Sequence, residues 1–417
     1  MNIINARLRG RDGLYNVGCD GARIARIQLQ PGPMAVPGGD LDAAGNMLIA
    51  PLVEPHIHLD AVATAGQPQW NKSGTLFEGI ERWGQRKATI THEDTKQRAH
   101  AGIRMLAEHG IQHVRTHVDV TDPTLGALKA LLEVREEARH LIDLQIVAFP
   151  QEGIESYEGG RALMARALDM GADVVGGIPH FENTREQGVS SIHYLMDLAE
   201  RRGLLVDVHC DETDDPHSRF LEVLAEQARV RGMGAQVTAS HTTAMGSYDN
   251  AYCSKLFRLL KAANLNFVSC PTESIHLQGR FDTFPKRRGV TRVGELDRAG
   301  LNVCFGQDSL QDPWYPLGNG NILRILDAGL HICHMMGHDD LRRCLDLVTD
   351  HSARALNLGE RYGIAEGRPA NLVLLEAPDD YEAVRRQAKA LVSIRAGEVI
   401  MQREPQRVTW AAHALPR

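Results

Sequence analysis

Two histidines at the end of an apolar stretch carry the clearest chemical signal in this chain. Residues 46–55 are largely apolar with strand character, and His56 and His58 follow them, separated by one residue. Side chains alternate faces along a strand, so residues two apart point the same way and lie close together. Two imidazoles that converge in this way form half of a transition-metal site. The alternative is that the pair occurs by chance or ends a surface strand.

Three further candidate metal ligands follow later apolar runs. His209 and His241 each come directly after such a run, and Asp308 lies three residues beyond another. Nitrogen and oxygen donors of this kind suit Zn²⁺ or Fe²⁺ better than Ca²⁺ or Mg²⁺. An ion held by part of the set keeps an open position, at which water becomes hydroxide near neutral pH. The alternative is that His209 and His241 are neutral, hydrogen-bonded fillers.

One metal ion is favoured over two. A second ion would usually need a bridging carboxylate or a modified lysine to balance its charge. Residues 176–179, at the end of the fourth strand-like run, contain no lysine. The sequence therefore predicts one divalent ion, Zn²⁺ or Fe²⁺.

Glu212 is the candidate proton shuttle for such a site. It lies three residues after His209, close enough to reach both a metal-activated water and a leaving group. A raised pKa would let it act as acid and base in turn. Asp308 can accept a proton while His241 polarises the group under attack. The alternative for Glu212 is a carboxylate at a helix N-terminus, since it stands in an acidic cluster.

Substrate contacts are expected from the remaining strand ends. Gln151 presents an amide that both donates and accepts, as a ring N/O pair requires. Trp314 closely follows Asp308 and could wall a flat pocket, although a buried structural tryptophan is the alternative. His117 and Asp119 are expected to orient the ligands or fill the barrel.

The elements that must position these residues alternate between strand and helix. Apolar strand-like runs precede amphipathic stretches in which apolar positions recur every three or four residues. Eight such units predict a (β/α)₈ barrel of the TIM type, in which function lies at the carboxyl ends of the strands. The doubly wound sheet is disfavoured because no glycine-rich phosphate loop follows the first strand. The predicted strands are 47–53, 113–120, 144–149, 173–178, 204–208, 236–240, 265–270 and 301–305.

The two ends of the chain differ from the middle in their sequence pattern. Short strand-like pieces and turn signals occupy the first 46 residues and resume after about residue 362. We therefore expect both ends to form one small β-sandwich domain, residues 1–49 with 362–417, beside a barrel of residues 50–361.

Composition narrows the functional classes. The 417 residues are 43% hydrophobic and 24% charged, with a net charge of −7 and no basic run interleaved with aromatics. These values give no support for a nucleic-acid or membrane partner. Seven scattered cysteines without a Cys-x-x-Cys pair, and no apolar leader, predict a cytoplasmic protein with reduced thiols. A homo-oligomer is expected, since barrel enzymes often associate.

Together these residues resemble the amidohydrolase superfamily, and within it the bacterial metal-dependent cytosine deaminases. The similarity covers nearly the whole chain and includes Pro55-His56-Ile57-His58, the two single histidines and Asp308. Further matching stretches are residues 64–71, 74–83, 112–119, 147–153, 207–212, 238–245 and 275–282.

The resemblance implies a barrel with a small β domain that hydrolyses an exocyclic amine and releases ammonia. It assigns one Fe²⁺ or Zn²⁺ to His56, His58, His209 and Asp308. His241 and Asp308 would act on the attacking water, Glu212 would protonate a ring nitrogen and Gln151 would recognise the substrate. Leu76, within one matching stretch, joins the expected substrate contacts.

Two departures from the family pattern bear on the substrate. Ser309 directly follows Asp308, at a position where the family has a second aspartate. Gln307 stands where the same family motif has a histidine. Glu273 lies in Cys270-Pro-Thr-Glu-Ser274, where the family has a stretch resembling Asn-Pro-Leu-Val-Asn. Losing one carboxylate and gaining another would change which ring edge is bound.

The leading hypothesis is a metal-dependent hydrolytic deaminase of cytosine or a closely related aminopyrimidine. A 5-substituted cytosine, isocytosine, creatinine or an aminotriazine are alternative substrates for the same chemistry. A cyclic-amide hydrolase of the same superfamily and a metal-dependent binding protein without activity are the other readings. Ring opening would release no ammonia, so product analysis separates the hydrolases.

Overall fold

The computed structural model describes residues 1–405 and 407–410. Two compact units are present, one of residues 1–50 with 364–417 and one of residues 51–363. We retain the division into 1–49 with 362–417 and 50–361 as a proposal; residue 406 and residues 411–417 of that range lie outside the described residues. No helix among residues 1–405 and 407–410 has the length and apolarity needed to cross a bilayer.

Sixteen strands occur in the described residues. In chain order they are β1 (Asn2–Leu8), β2 (Leu14–Asp20), β3 (Arg23–Gln30), β4 (Leu41–Asp42), β5 (Met47–Ile49), β6 (Leu52–Ile57), β7 (Ile111–Asp119), β8 (Asp143–Phe149), β9 (Val174–Gly177), β10 (Leu205–Cys210), β11 (Val237–His241), β12 (Asn266–Ser269), β13 (Asn302–Phe305), β14 (Leu372–Leu375), β15 (Ala390–Arg395) and β16 (Glu398–Gln402).

The described α-helices are α1 (Leu76–Lys87), α2 (His92–Ala107), α3 (Gly126–Glu137), α4 (Gly160–Asp169), α5 (Arg185–Arg202), α6 (Phe220–Arg231), α7 (Asn250–Ala263), α8 (Pro271–Leu277), α9 (Val293–Arg298), α10 (Ile322–Ile332), α11 (His338–Leu341), α12 (Asp350–Ala355) and α13 (Asp380–Arg385). Local signals set several boundaries. Thr184 caps the start of α5 through its side chain, and Gly203 ends that helix in the left-handed conformation that glycine favours.

The unit built from the chain ends is a sheet. Its strands follow the order β16-β15-β14-β5-β1-β2-β3, and β4 pairs with β1. Alternate apolar side chains of these strands, such as Ile3, Val17 and Leu374, form one buried cluster. Both chain ends therefore contribute to one hydrophobic core.

The second unit is a barrel of eight parallel strands in the order β6 to β13. Its last strand returns to the first, because the His58 N–H donates to the Asp308 carbonyl at 3.0 Å and the Asp308 N–H donates to the His56 carbonyl at 2.8 Å. Closure thus places three of the candidate ligands side by side. The predicted fold class, an α/β barrel with an additional β domain from the chain ends, is confirmed.

One predicted strand is divided in the structure. Residues 47–53 were expected to be continuous, but Met47–Ile49 pairs within the small sheet and Leu52–Ile57 begins the barrel. Pro51 stands between them and has no N–H to donate to a strand ladder, which accounts for the break.

Candidate functional site

Four side chains from four barrel strands converge on one point. His56, His209, His241 and Asp308 are buried, and each offers a ligand atom within 4.8 Å of the others. His58 joins them, since its Nε2 lies 3.2 Å from His209 Nε2 and 3.4 Å from Asp308 Oδ1. The closed parallel barrel brings together residues that are up to 252 positions apart, here His56 and Asp308.

The backbone at two of these positions is strained. His241 has φ of 65° and Asp308 has φ of 68°, both in the left-handed region that side chains rarely adopt. His241 is the last residue of β11 and Asp308 lies three residues beyond the end of β13, so both stand at the carboxyl ends of the barrel strands. Strain of this kind, maintained by the surrounding fold, clusters at functional sites.

The ring of His56 is oriented by a chain of hydrogen bonds. Ser240 Oγ donates to Asp207 Oδ1 at 2.6 Å, so it accepts from His56 Nδ1 at 3.0 Å. Asp207 in turn accepts from the fully buried Arg115 at 2.8 Å. The Nε2 atom of His56 is thereby left as a lone-pair donor that faces Asp308 at 3.4 Å.

The donor set fits a divalent metal ion. His56 Nε2, His209 Nδ1 and both ring nitrogens of His241 are buried without a hydrogen-bond partner among the described residues. Two imidazole Nε2 atoms face each other at 3.2 Å, which is unfavourable unless a proton or a cation lies between them. Hydrogen-bonded filler histidines, the alternative above, would not leave these atoms unpaired. Neutral imidazoles with one carboxylate are typical transition-metal ligands.

Charge states at the cluster follow from burial and proximity. Burial lowers the pKa of His241 to about 3 and that of His209 well below its usual value. Burial alone would raise the pKa of Asp308, but His241, His56 and His58 outweigh it and hold that pKa well below its usual range. His209 and His241 are therefore neutral rings beside one ionised carboxylate.

Glu212 reaches the cluster while its neighbour caps a helix. Asp211 accepts hydrogen bonds from the N–H groups of Phe220 at 3.0 Å and Leu221 at 2.9 Å, at the start of α6. The helix-terminus role considered for Glu212 thus falls to Asp211. Glu212 Oε1 lies 3.8 Å from His241 Nδ1, and burial together with Asp308 raises the pKa of Glu212 well above its usual value.

A cavity opens over the cluster. All five residues expected to contact substrate line it, together with four of the candidate ligands and proton shuttles: Gln151, Leu76, Glu273, Ser309, Trp314, His58, His209, Glu212 and Asp308. His56 and His241 lie outside the lining. Ser309 Oγ donates to Glu273 Oε1 at 2.9 Å, so the two departures from the family pattern form one pair in the cavity wall.

Helix α1 forms part of the cavity wall and was not predicted. Leu76 and Ile80 of this helix line the cavity, and Trp83, one turn further on, packs against Trp314 with ring centroids 6.2 Å apart. Gly79 permits the contact, because a Cβ there would lie 2.4 Å from the Trp314 ring. Trp314 is thus both a buried packing residue and part of the wall.

The second-strand residues take supporting positions. His117 packs on His56 with ring centroids 3.9 Å apart. Asp119 accepts from Trp83 Nε1 at 3.1 Å and from Lys87 Nζ at 2.9 Å, and so anchors α1. Both placements agree with the orienting or filling role expected for these residues.

Sequence reasoning missed two residues near the cluster. His180 lies on a short 3₁₀ turn after β9 and lines the cavity, and burial lowers its pKa to about 4. Its position one residue beyond Pro179, at a strand end, was the available signal. Glu54, inside β6, accepts from the Gln307 amide at 2.9 Å and from the His56 N–H at 3.1 Å. No spacing pattern marks a buried carboxylate within an apolar strand.

Known proteins resemble this chain along almost its whole length. A crystal structure of 5-methylcytosine deaminase from Klebsiella pneumoniae with 5-fluorocytosine is 72% identical, with a TM-score of 0.98 over 98% of this chain and 99% of that one. N-isopropylammelide isopropyl amidohydrolase of Pseudomonas sp. (strain ADP) is 29% identical over 409 residues, 96% of this chain and 97% of that protein.

Pterin deaminase of Rhizobium rhizogenes is a further relative, 26% identical over 86% of this chain and 82% of its own length. The model of the amidohydrolase family matches residues 41–405, which include every candidate site residue. A buried cluster of histidines and aspartate at the mouth of a parallel barrel accompanies that match. This chain belongs to the amidohydrolase family.

Proposed function

We propose that this protein is a metal-dependent hydrolytic deaminase that converts cytosine, or a cytosine substituted at C5 such as 5-methylcytosine, to the corresponding uracil. The observation that carries the proposal is the convergence, beside one cavity, of unpaired imidazole nitrogens with Glu212 and Asp308, whose pKa values are shifted in opposite directions. A site with one protonated and one ionised carboxyl group can donate and accept a proton in the same turnover.

His56, His58, His209 and Asp308 would hold one Zn²⁺ or Fe²⁺ ion. When bound, the ion would supply Lewis-acid chemistry that makes water a nucleophile at neutral pH. The donor set itself accepts either metal. Metal analysis of the purified protein, with activity measured after reloading each ion, decides between them.

The protein groups would move the protons of the reaction. Asp308 is ionised and would accept a proton from the attacking water, while Glu212 is protonated and would donate to ring nitrogen N3. The C4–O bond would form first. The proton held by Asp308 would then pass to the amine, which leaves as ammonia when the C4–N bond breaks, and the second water proton would return to Glu212 as the C4 carbonyl forms. His241 is neutral and would hydrogen-bond the oxygen that adds to C4.

The cavity wall supports a flat heterocycle of pyrimidine size. Phe149, Leu76 and Trp314 supply apolar surface, and Gln151 supplies an amide for the N1/O2 edge of the ring. Ser309 offers a smaller side chain than aspartate beside the reacting carbon, which supports a substrate that carries a group at C5. The 72% identity to a 5-methylcytosine deaminase favours the same substrate class.

A substrate panel tests the proposal. Metal-loaded enzyme is incubated with cytosine, 5-methylcytosine, isocytosine, creatinine, an aminotriazine and a cyclic amide, and ammonia and ultraviolet spectra are recorded. We expect ammonia release from the two cytosines. Ring opening without ammonia would instead identify a cyclic-amide hydrolase. No reaction with any of the compounds would refute the deaminase proposal. Cytoplasmic location and homo-oligomerisation stay predictions.

A further inference from the structure

A second cleft, outside the cavity described above, has four arginines among its lining residues. It lies between the turn after β11, the segment that leads into α9 and the end of α10. Its charged lining residues are Arg287, Arg288, Arg292, Arg298 and a single glutamate, Glu295. The whole chain has a net charge of −7, so this cleft concentrates positive charge on an otherwise acidic protein.

Two of the arginines hold the cleft together. Arg287 binds Asp282 at 2.6 Å and donates to Ser247 Oγ at 2.9 Å. Arg292 donates to the Met245 carbonyl at 3.0 Å and so fixes the turn after β11. Their guanidinium groups donate most of their hydrogen bonds within the protein, so these two arginines form walls of the cleft.

The other two arginines, Arg288 and Arg298, have guanidinium N–H donors that are not used within the described residues. Arg288 donates from one nitrogen to the Ile332 carbonyl at 2.6 Å, and no carboxylate is paired with it among the described residues. Arg298 has no hydrogen bond or ion pair within that part of the chain, and it folds over Gly294, where a Cβ would lie 3.1 Å from its Nη1. Ser247 accepts from Arg287, so its hydroxyl hydrogen remains available to an anion.

We infer that this cleft binds a phosphate group, held by the planar guanidinium groups of Arg288 and Arg298 and by the Ser247 hydroxyl. Guanidinium forks match phosphate oxygens in geometry and in charge. Two arginines without a carboxylate partner that share one concave surface repel each other, and a bound dianion would offset that repulsion. Carboxylates are weaker candidates, because one carboxylate offers fewer oxygens and less charge to three donors.

The cleft also contacts the segment that carries His241. Thr291, in the cleft wall, lies with its Oγ1 2.8 Å from Oγ1 of Thr242, the residue directly after His241. A bound phosphate would thus stiffen the turn beside the cavity. The binding itself does not depend on the proposed deaminase activity.

Isothermal titration of the full-length protein at constant chloride concentration tests the inference, with inorganic phosphate and cytidine 5′-monophosphate as probes. We expect saturable binding that the R288A/R298A double variant weakens at least tenfold. The matched control is R104A/R201A, which removes from α2 and α5 two exposed arginines that make no hydrogen bond or ion pair among the described residues, and it should change the affinity less than twofold. Thermal unfolding should show a phosphate-dependent rise in Tm that follows the same order.

The outcomes separate the sources of phosphate. Equal binding of both probes identifies free phosphate as sufficient, and binding of the nucleotide alone identifies a phosphate ester. The absence of saturable binding of either probe, or equal affinity in R288A/R298A and wild type, would overturn the inference. If the wild type does not bind phosphate and R288A/R298A has a different oligomeric mass, the two arginines belong to a subunit contact. That result would also overturn the inference.

Discussion

Replacement of Glu212 by glutamine removes the proton that the site is built to deliver. The side chain is buried, lies 3.8 Å from His241 Nδ1 and has a pKa raised well above its usual value by burial and by Asp308. Glutamine keeps the shape and the hydrogen-bonding surface of the protonated acid but cannot give up or take back its proton. The variant therefore isolates proton transfer from packing.

The expected loss can be estimated from the chemistry. General acid–base catalysis by one positioned group is worth roughly 10²–10⁴ in rate. A loss of about 10³ in kcat corresponds to about 4 kcal/mol of transition-state stabilisation. Metal content and Tm should stay at wild-type values, because Glu212 is not among the proposed ligands and its protonated form carries no charge to lose.

The pH dependence provides a second signature. A raised pKa means that the protonated, active form of Glu212 persists at neutral pH and is lost as the pH rises through that pKa. Wild-type kcat should therefore decline on the alkaline side, and the residual activity of E212Q should lack that decline.

The assay is ammonia release at saturating substrate, with metal content measured on the same samples. E273Q is the matched control, since Glu273 is buried in the same cavity and has a pKa raised by burial. We expect E273Q to alter KM more than kcat. E212Q turnover within tenfold of wild type, with the metal retained, would refute the assignment of Glu212 as the proton donor.

Three further changes are predicted. S309D places a second carboxylate against Glu273 and reduces the space beside C4, so kcat/KM for 5-methylcytosine should fall at least tenfold more than that for cytosine; equal losses contradict this reasoning. S240A removes the hydrogen bond at 3.0 Å that orients His56 and should weaken metal retention about 10–100-fold in a chelator competition, whereas unchanged retention contradicts it. Glu54 has a pKa raised by burial to about 8, so its contribution to the unfolding free energy of the metal-free protein should fall by about 1.4 kcal/mol for each unit that the pH rises between its unfolded pKa and 8. Denaturant titrations of E54Q should show a flatter pH dependence, and an identical slope would contradict the shift.

Much of the barrel and its mouth follows from periodicity along the chain. Apolar runs that alternate with amphipathic stretches predict parallel strands, and the polar residues after those strands then share one edge. His209, His241 and Asp308 were identified in this way, and the structure places them together. Strand ends can be read locally because hydrogen-bonding and burial patterns change there.

Contacts between distant elements could not be read in the same way. Helix α1 was missed although it walls the cavity, because its position depends on Trp83 packing against Trp314. Asp211 and Glu212 are adjacent acids with different roles, and only the start of α6 decides which of them caps the helix. The break at Pro51 likewise divides an apolar run that periodicity alone treats as continuous.

The amino-acid sequence by itself determined the donor types, their positions at strand ends and the family that shares them, because these depend on residue identity and spacing. Only the tertiary structure decided that Ser240 and Asp207 orient His56, that Glu212 is free to face the cavity and that Ser309 pairs with Glu273. The physical reason is that orientation, burial and pKa depend on side chains that barrel closure brings within a few ångströms from opposite ends of the chain.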